Sequence, residues 1–239
     1  MKNLFYNFDI HQYAENALLI SWAVNRPEHE FVNYRQKFIS FLKKEDKDIK
    51  YLTPAFDALL IAFHTKIDMK SKLYKTHEHL KSFLNNDITT PKKEIFNIPV
   101  CYEDFGLDLE SIARHSGLSV PDIINIHSEK VYTLYFIGFL PGFLYMGNVD
   151  ERIRIPRQQS PRPKVEQGSI GIAELQTGIY PSSSPGGWQI VGRTPVKIFD
   201  ASENPPCPFA PGDQIRFKSI SKTEFDEISN ANSKIIKKV

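Results

Sequence analysis

The chain has 239 residues, enough for one large domain or two small ones around a sizeable core. Thirty Lys and Arg stand against 28 Asp and Glu, a formal net charge of +2, which gives no electrostatic footprint for nucleic acid. The longest mostly apolar run, residues 133–146, is too short for a membrane span and is broken by Gly138, Pro141 and Gly142. The opening residues meet Asn3 and Asn7 too early for a secretory signal, and the two cysteines, Cys101 and Cys207, have no CxxC partner. A reduced, cytoplasmic protein is expected.

Residues 18–23, around Trp22, form an apolar run of strand length. Pro27, Glu28 and Glu30 suit a first helical turn, after which Phe31, Tyr34, Phe38 and Leu42 recur at helical spacing up to Lys43-Lys44. Residues 49–53, a break at Pro54, and residues 58–63 read as two strands. A second amphipathic helix carries Leu73, Leu80, Phe83 and Leu84 and stops at Asn85-Asn86. This order suggests an α+β amino-terminal layer of ferredoxin-like type over residues 1–86, with a polar linker at 87–93.

The second part, residues 94–239, opens with the alternation Phe96, Ile98, Val100. A helix spanning 109–115 ends at Gly117, and Ser119 with Asp122 caps another that carries Ile123, Ile126 and His127. From Val131 onward, short apolar strands alternate with Pro and Gly, the texture of a compact β-barrel. The polar tail after Ser219 is expected to be loosely held.

Among chemical motifs, Gly187 to Thr194 has Walker A spacing with Arg193 in place of the lysine. A phosphate loop must run into a helix. Pro195 disfavours helical angles at Thr194, and residues 196–199 read as a strand, so the P-loop is rejected. His77 and His79 stand two apart on a helix and point in different directions, so no metal site is expected.

What stands out is the density of special residues from Gly138 to Pro195: the aromatic-rich turn at 138–145, Pro156-Arg157 and Pro161-Arg162, Gln176-Thr177 with Tyr180, and Gly186-Gly187-Trp188. Tight turns alone account for many of the Gly and Pro positions. Rigid loops bearing Arg, Gln, Thr and Tyr also suit a polar ligand with carboxylate, amide or phosphate groups. Arg157, Arg162 and Arg193 fit either surface ion pairs or anion contacts. His127 fits a helix-terminal cation or a satisfied buried histidine. Tyr180 and Trp188 fit pocket walls or core packing.

These blocks, preceded by Asp104-Phe105-Gly106, Asp108-Leu109 and Ile126-His127 and followed by Gly192-Arg193-Thr194-Pro195, closely resemble one family. It comprises the B component of bacterial ATP-dependent 5-oxoprolinase, Kip-type inhibitors of sporulation kinases and subunit 1 of allophanate hydrolase. The resemblance covers residues 104–200. Glu166-Gln167, Glu174-Leu175 and Leu107 depart from the family pattern. The resemblance implies a cyclophilin-like barrel and a non-autonomous subunit acting with subunits A and C to turn 5-oxo-L-proline and ATP, with Mg²⁺, into L-glutamate. It implies catalytic roles for His127, Arg157 and Arg162. Substrate or nucleotide contacts would come from Gln176, Thr177, Tyr180, Gly186, Gly187, Trp188 and Arg193. As alternatives to this leading reading, it allows an inhibitor docked on a sensor histidine kinase, or a hydrolase subunit acting on allophanate or another urea derivative.

Overall fold

A computed structural model describes residues 7–24, 29–64, 68–85, 95–231 and 237–238. The chain divides into two units, residues 1–92 and 93–239. The expected linker at 87–93 lies outside the described residues, as do Pro27 and Glu28.

The first unit contains β1 (Phe8–Ala14), β2 (Ala17–Trp22), α1 (His29–Glu45), β3 (Ile49–Pro54), β4 (Ala58–Phe63) and α2 (Met69–Asn85). Its four strands form an antiparallel sheet in the order β1-β2-β4-β3. The expected strand, helix, two strands and helix are present as β2 through α2. β1 is additional: most of its residues are exposed, and an edge strand buried on neither face carries no apolar alternation to read. Leu18, Ile20 and Trp22 on β2, Leu59, Ile61 and Phe63 on β4, Phe38 and Leu42 on α1, and Leu80 and Leu84 on α2 are all buried. The helical stripe legible in the sequence is therefore the face that removes apolar surface from water.

The second unit runs β5 (Ile95–Val100), α3 (Leu109–Ser116), α4 (Val120–Glu129), β6 (Val131–Ile137), β7 (Leu144–Gly147), a 3₁₀ turn (Glu151–Ile153), β8 (Arg162–Val165), β9 (Ser169–Ala173), β10 (Gln176–Ile179), β11 (Ser184–Gly186), β12 (Gln189–Arg193), β13 (Gln214–Ser219), α5 (Lys222–Asn230) and β14 (Lys237–Lys238). Eight strands make one sheet in the order β12-β9-β10-β7-β6-β13-β5-β14, and β8 pairs with β11 in a separate ribbon.

The sheet curls into a nearly closed barrel. Just past β5, Cys101 N donates to Arg193 O and Arg193 N donates to Cys101 O, both at 2.9 Å, so the end of β12 is bridged back to the other side of the sheet. Such closure leaves fewer unpaired backbone groups at a sheet edge. The interior is filled by Ile98, Val100, Leu134, Leu144, Met146, Ile170, Ile172, Ile179, Val191, Ile215 and Phe217.

α3 ends at Gly117 in the left-handed conformation, φ 74°, with its N–H returned to Ala113 O. α4 opens at Ser119, whose hydroxyl accepts the Asp122 N–H. Two expectations need correction. Residues 196–199 are irregular rather than a strand, although Val196 and Ile198 are buried. The tail after Ser219 is not simply loose: α5 carries a reciprocal capping box between Ser221 and Glu224 and buries Phe225.

Candidate functional site

The Gly- and Pro-rich connections of the barrel enclose a hollow of about 430 Å³. Its apolar wall is a set of five rings. Phe143 meets Tyr180, Trp188 and Phe139 edge to face, with centroids 5.0, 5.4 and 5.6 Å apart, and Tyr145 meets Trp188 at 5.6 Å. Edge-to-face contacts hold each ring at a fixed angle and favour one arrangement. Gly142, at φ 86°, lets the turn between β6 and β7 close, and a Cβ there would lie 2.5 Å from Phe199 Cβ. Phe139 also has positive φ, 65°, and is 63% exposed. A bulky side chain in that conformation is strained, as is common where a ring is presented to a ligand.

Arg157, Gln158 and Gln159 supply the polar wall, with Pro161, Pro185, Gly186 and Gly187 completing it. The loop that carries them is pinned at several points. Gln158 N donates to Gly187 O at 2.7 Å, and Gln189 Nε2 donates to Pro156 O at 3.1 Å. Behind the wall sits Asp108, 6% exposed. Its Oδ1 accepts Arg162 Nη2 at 2.6 Å and Gln158 Nε2 at 3.1 Å, while its Oδ2 accepts Ile190 N at 2.5 Å. A buried carboxylate with donors on both oxygens is compensated and rigid. Gly186 allows the last close approach: a Cβ there would stand 2.4 Å from the Tyr180 hydroxyl.

The electrostatics of the hollow centre on Arg157. Its guanidinium has no hydrogen-bonded acceptor among the described residues, and its charge opposes the upward shift that burial gives the Tyr145 phenol. Burial also raises the Tyr180 phenol, against a backbone hydrogen bond at Trp188. Both phenols therefore stay neutral donors near pH 7. An open cation, neutral hydroxyls, amides and ring faces together suit a small anion with an apolar ring or chain.

The sequence-nominated residues separate into distinct places. Arg157, Tyr180, Gly186, Gly187 and Trp188 share the aromatic hollow. Arg162 lies against its back, held by Asp108 rather than open to a ligand.

His127 and Thr177 are fully buried inside the barrel, away from this lining. The Thr177 hydroxyl donates to Gly171 O at 2.9 Å, so its oxygen accepts His127 Nε2–H at 3.1 Å, and His127 Nδ1 accepts the Tyr102 hydroxyl at 2.9 Å. The imidazole stacks on Phe217 at 4.8 Å, and burial depresses its pKa to about 3. Of the two sequence readings for His127, the geometry matches the satisfied, neutral core histidine. A helix-terminal cation is ruled out by that burial, and direct proton exchange with a ligand in the hollow does not fit it.

Gln176 pairs with Ala173 and Gly147 at the end of β10 opposite Tyr180. Arg193 lines a second hollow of about 600 Å³ with Gln167, Lys197, Asp200 and Phe225. Its Nε donates to Gln167 O at 2.7 Å, and its guanidinium lies over the Phe105 ring. The nominated residues thus do not share one concave patch: closure of the barrel turns alternate side chains inward and outward, dispersing the set.

Residues that sequence reasoning passed over as site residues are Phe139, Phe143, Tyr145, Gln158, Gln159 and Asp108. The aromatics stood in the turn-rich block, and the glutamines directly follow Pro156-Arg157. No local signal joins Asp108 to Arg162. Glu166, one of the departures from the family pattern, pairs with Lys164 at 2.7 Å and does not line the hollow. His77 and His79 contact different rings, Phe8 and Phe41. No helix among the described residues is long and apolar enough to cross a membrane.

Comparison with known proteins decides the family. Residues 8–209 match the model of the carboxyltransferase domain, subdomain C and D. The chain belongs to that family. Within it, the B component of 5-oxoprolinase from Bacillus subtilis is 34% identical over 91% of this chain and 95% of its own length. The protein of the same name from Escherichia coli O157:H7 is 42% identical over 53% of this chain and 59% of its own length. Among solved structures, the urea carboxylase of Kluyveromyces lactis superposes with a TM-score of 0.76 at 19% identity, covering 94% of this chain and 23% of that one. The last likeness is one of fold.

Proposed function

We propose that this member of the carboxyltransferase C and D family is a subunit of an ATP-dependent 5-oxoprolinase. It would act with subunits A and C to convert 5-oxo-L-proline to L-glutamate. The observation that carries the reading is Arg157, a guanidinium with no acceptor among the described residues and in a hollow lined by five aromatic rings, together with the 34% identity to a named 5-oxoprolinase component along nearly the whole chain. 5-Oxoproline is a small ring bearing one carboxylate. Its ring would lie against Phe139, Tyr145 and the edge of Trp188, and its carboxylate would meet Arg157.

The chemistry explains the need for ATP. A five-membered lactam is resonance-stabilised and resists hydrolysis. Transfer of the γ-phosphoryl group breaks the bond to the β-phosphate oxygen and forms one to the lactam carbonyl oxygen, leaving ADP and an electrophilic carbon. Water adds to that carbon, the ring C–N bond breaks with a proton delivered to nitrogen, and a second water releases phosphate and glutamate. Charge that develops on the transferred group needs cations, and Mg²⁺ would travel with the nucleotide phosphates. In this chain Arg157 would orient the lactam, and the half-buried Tyr145 would donate a hydrogen bond from its neutral phenol, while the buried Tyr180 backs the wall. Arg193, in the second hollow, is the chain's other candidate for contact with a phosphate. The remaining cations would come from the C component of the enzyme across a composite site.

Co-expression with subunits A and C tests the reading. The expected result is a stable heteromer that forms glutamate from 5-oxoproline and ATP only when all three chains are present. Glutamate production by this chain alone at the rate of the assembly, or an assembly inert toward 5-oxoproline, would overturn it.

A further inference from the structure

We infer that Gln158 is a specificity-determining residue, whose side-chain carbonyl accepts a ring N–H from the ligand in the aromatic hollow. This rests on the lactam reading above and assigns the part of the site that would recognise the amide.

The inference follows from a chain of fixed polarities. The Pro156 carbonyl can only accept, so the side-chain amide of Gln189, 7% exposed, must turn its Nε2 toward it, at 3.1 Å. Gln189 Oε1 then faces Gln158 and accepts its Nε2 at 3.4 Å. Asp108 Oδ1 accepts the same Nε2 at 3.1 Å. Both hydrogens of the Gln158 amide are engaged behind the wall, and reversing the amide would set its oxygen against a carboxylate and another carbonyl oxygen.

What Gln158 has left is Oε1, an acceptor with no donor among the described residues, on a half-buried residue that lines the hollow. The adjacent residue, Arg157, offers only donors. The wall therefore presents a donor group for an anionic oxygen and an acceptor for an N–H on consecutive residues. A cyclic amide with a neighbouring carboxylate carries both complements. An analogue with CH₂ in place of N–H would leave the Gln158 oxygen desolvated and unpaired, the kind of mismatch that discriminates strongly between isosteric ligands.

The test titrates the full chain, alone and assembled with subunits A and C, with 5-oxo-L-proline and with 3-oxocyclopentane-1-carboxylate, which replaces the ring N–H by CH₂. The wild-type protein is expected to bind the lactam at least about tenfold more tightly. In Gln158→Met that ratio should fall to near one, chiefly through weaker lactam binding. Because Gln158→Met can disturb the loop, ¹⁵N-labelled 5-oxoproline bound to the wild type gives a variant-free reading, a downfield amide proton. A wild-type ratio near one, or a ratio that Gln158→Met leaves unchanged, would overturn the assignment of Gln158 alone. Failure of both ligands to bind the wild-type chain and its assembly would overturn the lactam reading, and this assignment with it.

Discussion

Asp108 and Arg162, 54 residues apart, form an ion pair at 2.6 Å directly behind the aromatic hollow. The pair ties the start of α3 to β8, and through Gln158 it fixes the loop that carries Arg157. Replacing Asp108 with Ala leaves the Arg162 guanidinium and the Ile190 N–H without their acceptor. A loss of about 3 kcal/mol is expected, because breaking one side of a largely buried pair costs more than the pair contributes. Urea denaturation measures it. A loss under about 0.5 kcal/mol would mean that Asp108 does not anchor the wall.

His127 makes the barrel sensitive to acid. Its pKa in the folded state is depressed to about 3 by burial, against an ordinary value near 6.5, so between these values the unfolded chain binds the proton more tightly. The associated stability is fully present above pH 6.5 and falls as pH drops toward 3, by roughly 5 kcal/mol at most. Denaturation midpoints measured from pH 7 to pH 4 for the wild type and for His127→Gln check this. The variant is expected to show a smaller acid-dependent loss.

Gly186 sets the fit between β11 and Tyr180. A methyl group at this position would stand 2.4 Å from the phenol oxygen, so Gly186→Ala must displace the Tyr180 ring or the ribbon. A destabilisation of about 1–3 kcal/mol is expected, with a change in near-ultraviolet circular dichroism from the disturbed ring cluster. Wild-type stability with an unchanged spectrum would contradict so close a packing of ring on ribbon.

Much of the architecture is legible where burial writes a period into the residues. Phe96, Ile98 and Val100 alternate because β5 packs its alternate side chains into the barrel, and Phe31, Phe38 and Leu42 recur because one stripe of α1 is buried. β1 escapes such reading because it is an exposed edge strand. α5 escapes because a single buried residue, Phe225, anchors a mostly polar helix. For the site, the density of Gly, Pro and aromatics between residues 138 and 188 marks the right loops, since tight turns and ring walls need those residue types. It does not tell which side chains converge. Arg157 and Arg162 look alike in sequence, each after a proline, yet one is open to the hollow and the other is held by a carboxylate from a distant helix cap.

Arg157 carries the central claim, and the affinity for 5-oxo-L-proline tests it most directly. Trp188 lines the hollow and Trp22, the chain's other tryptophan, lies in the first unit, so the tryptophan fluorescence of the chain can follow binding, with calorimetry used for the assembled protein. Arg157→Met removes the charge while keeping much of the side-chain length. Loss of a charge-assisted hydrogen bond should weaken lactam binding by about 10- to 100-fold without changing the unfolding midpoint of the chain. An affinity for 5-oxoproline that is the same in Arg157→Met and in the wild type would contradict the account.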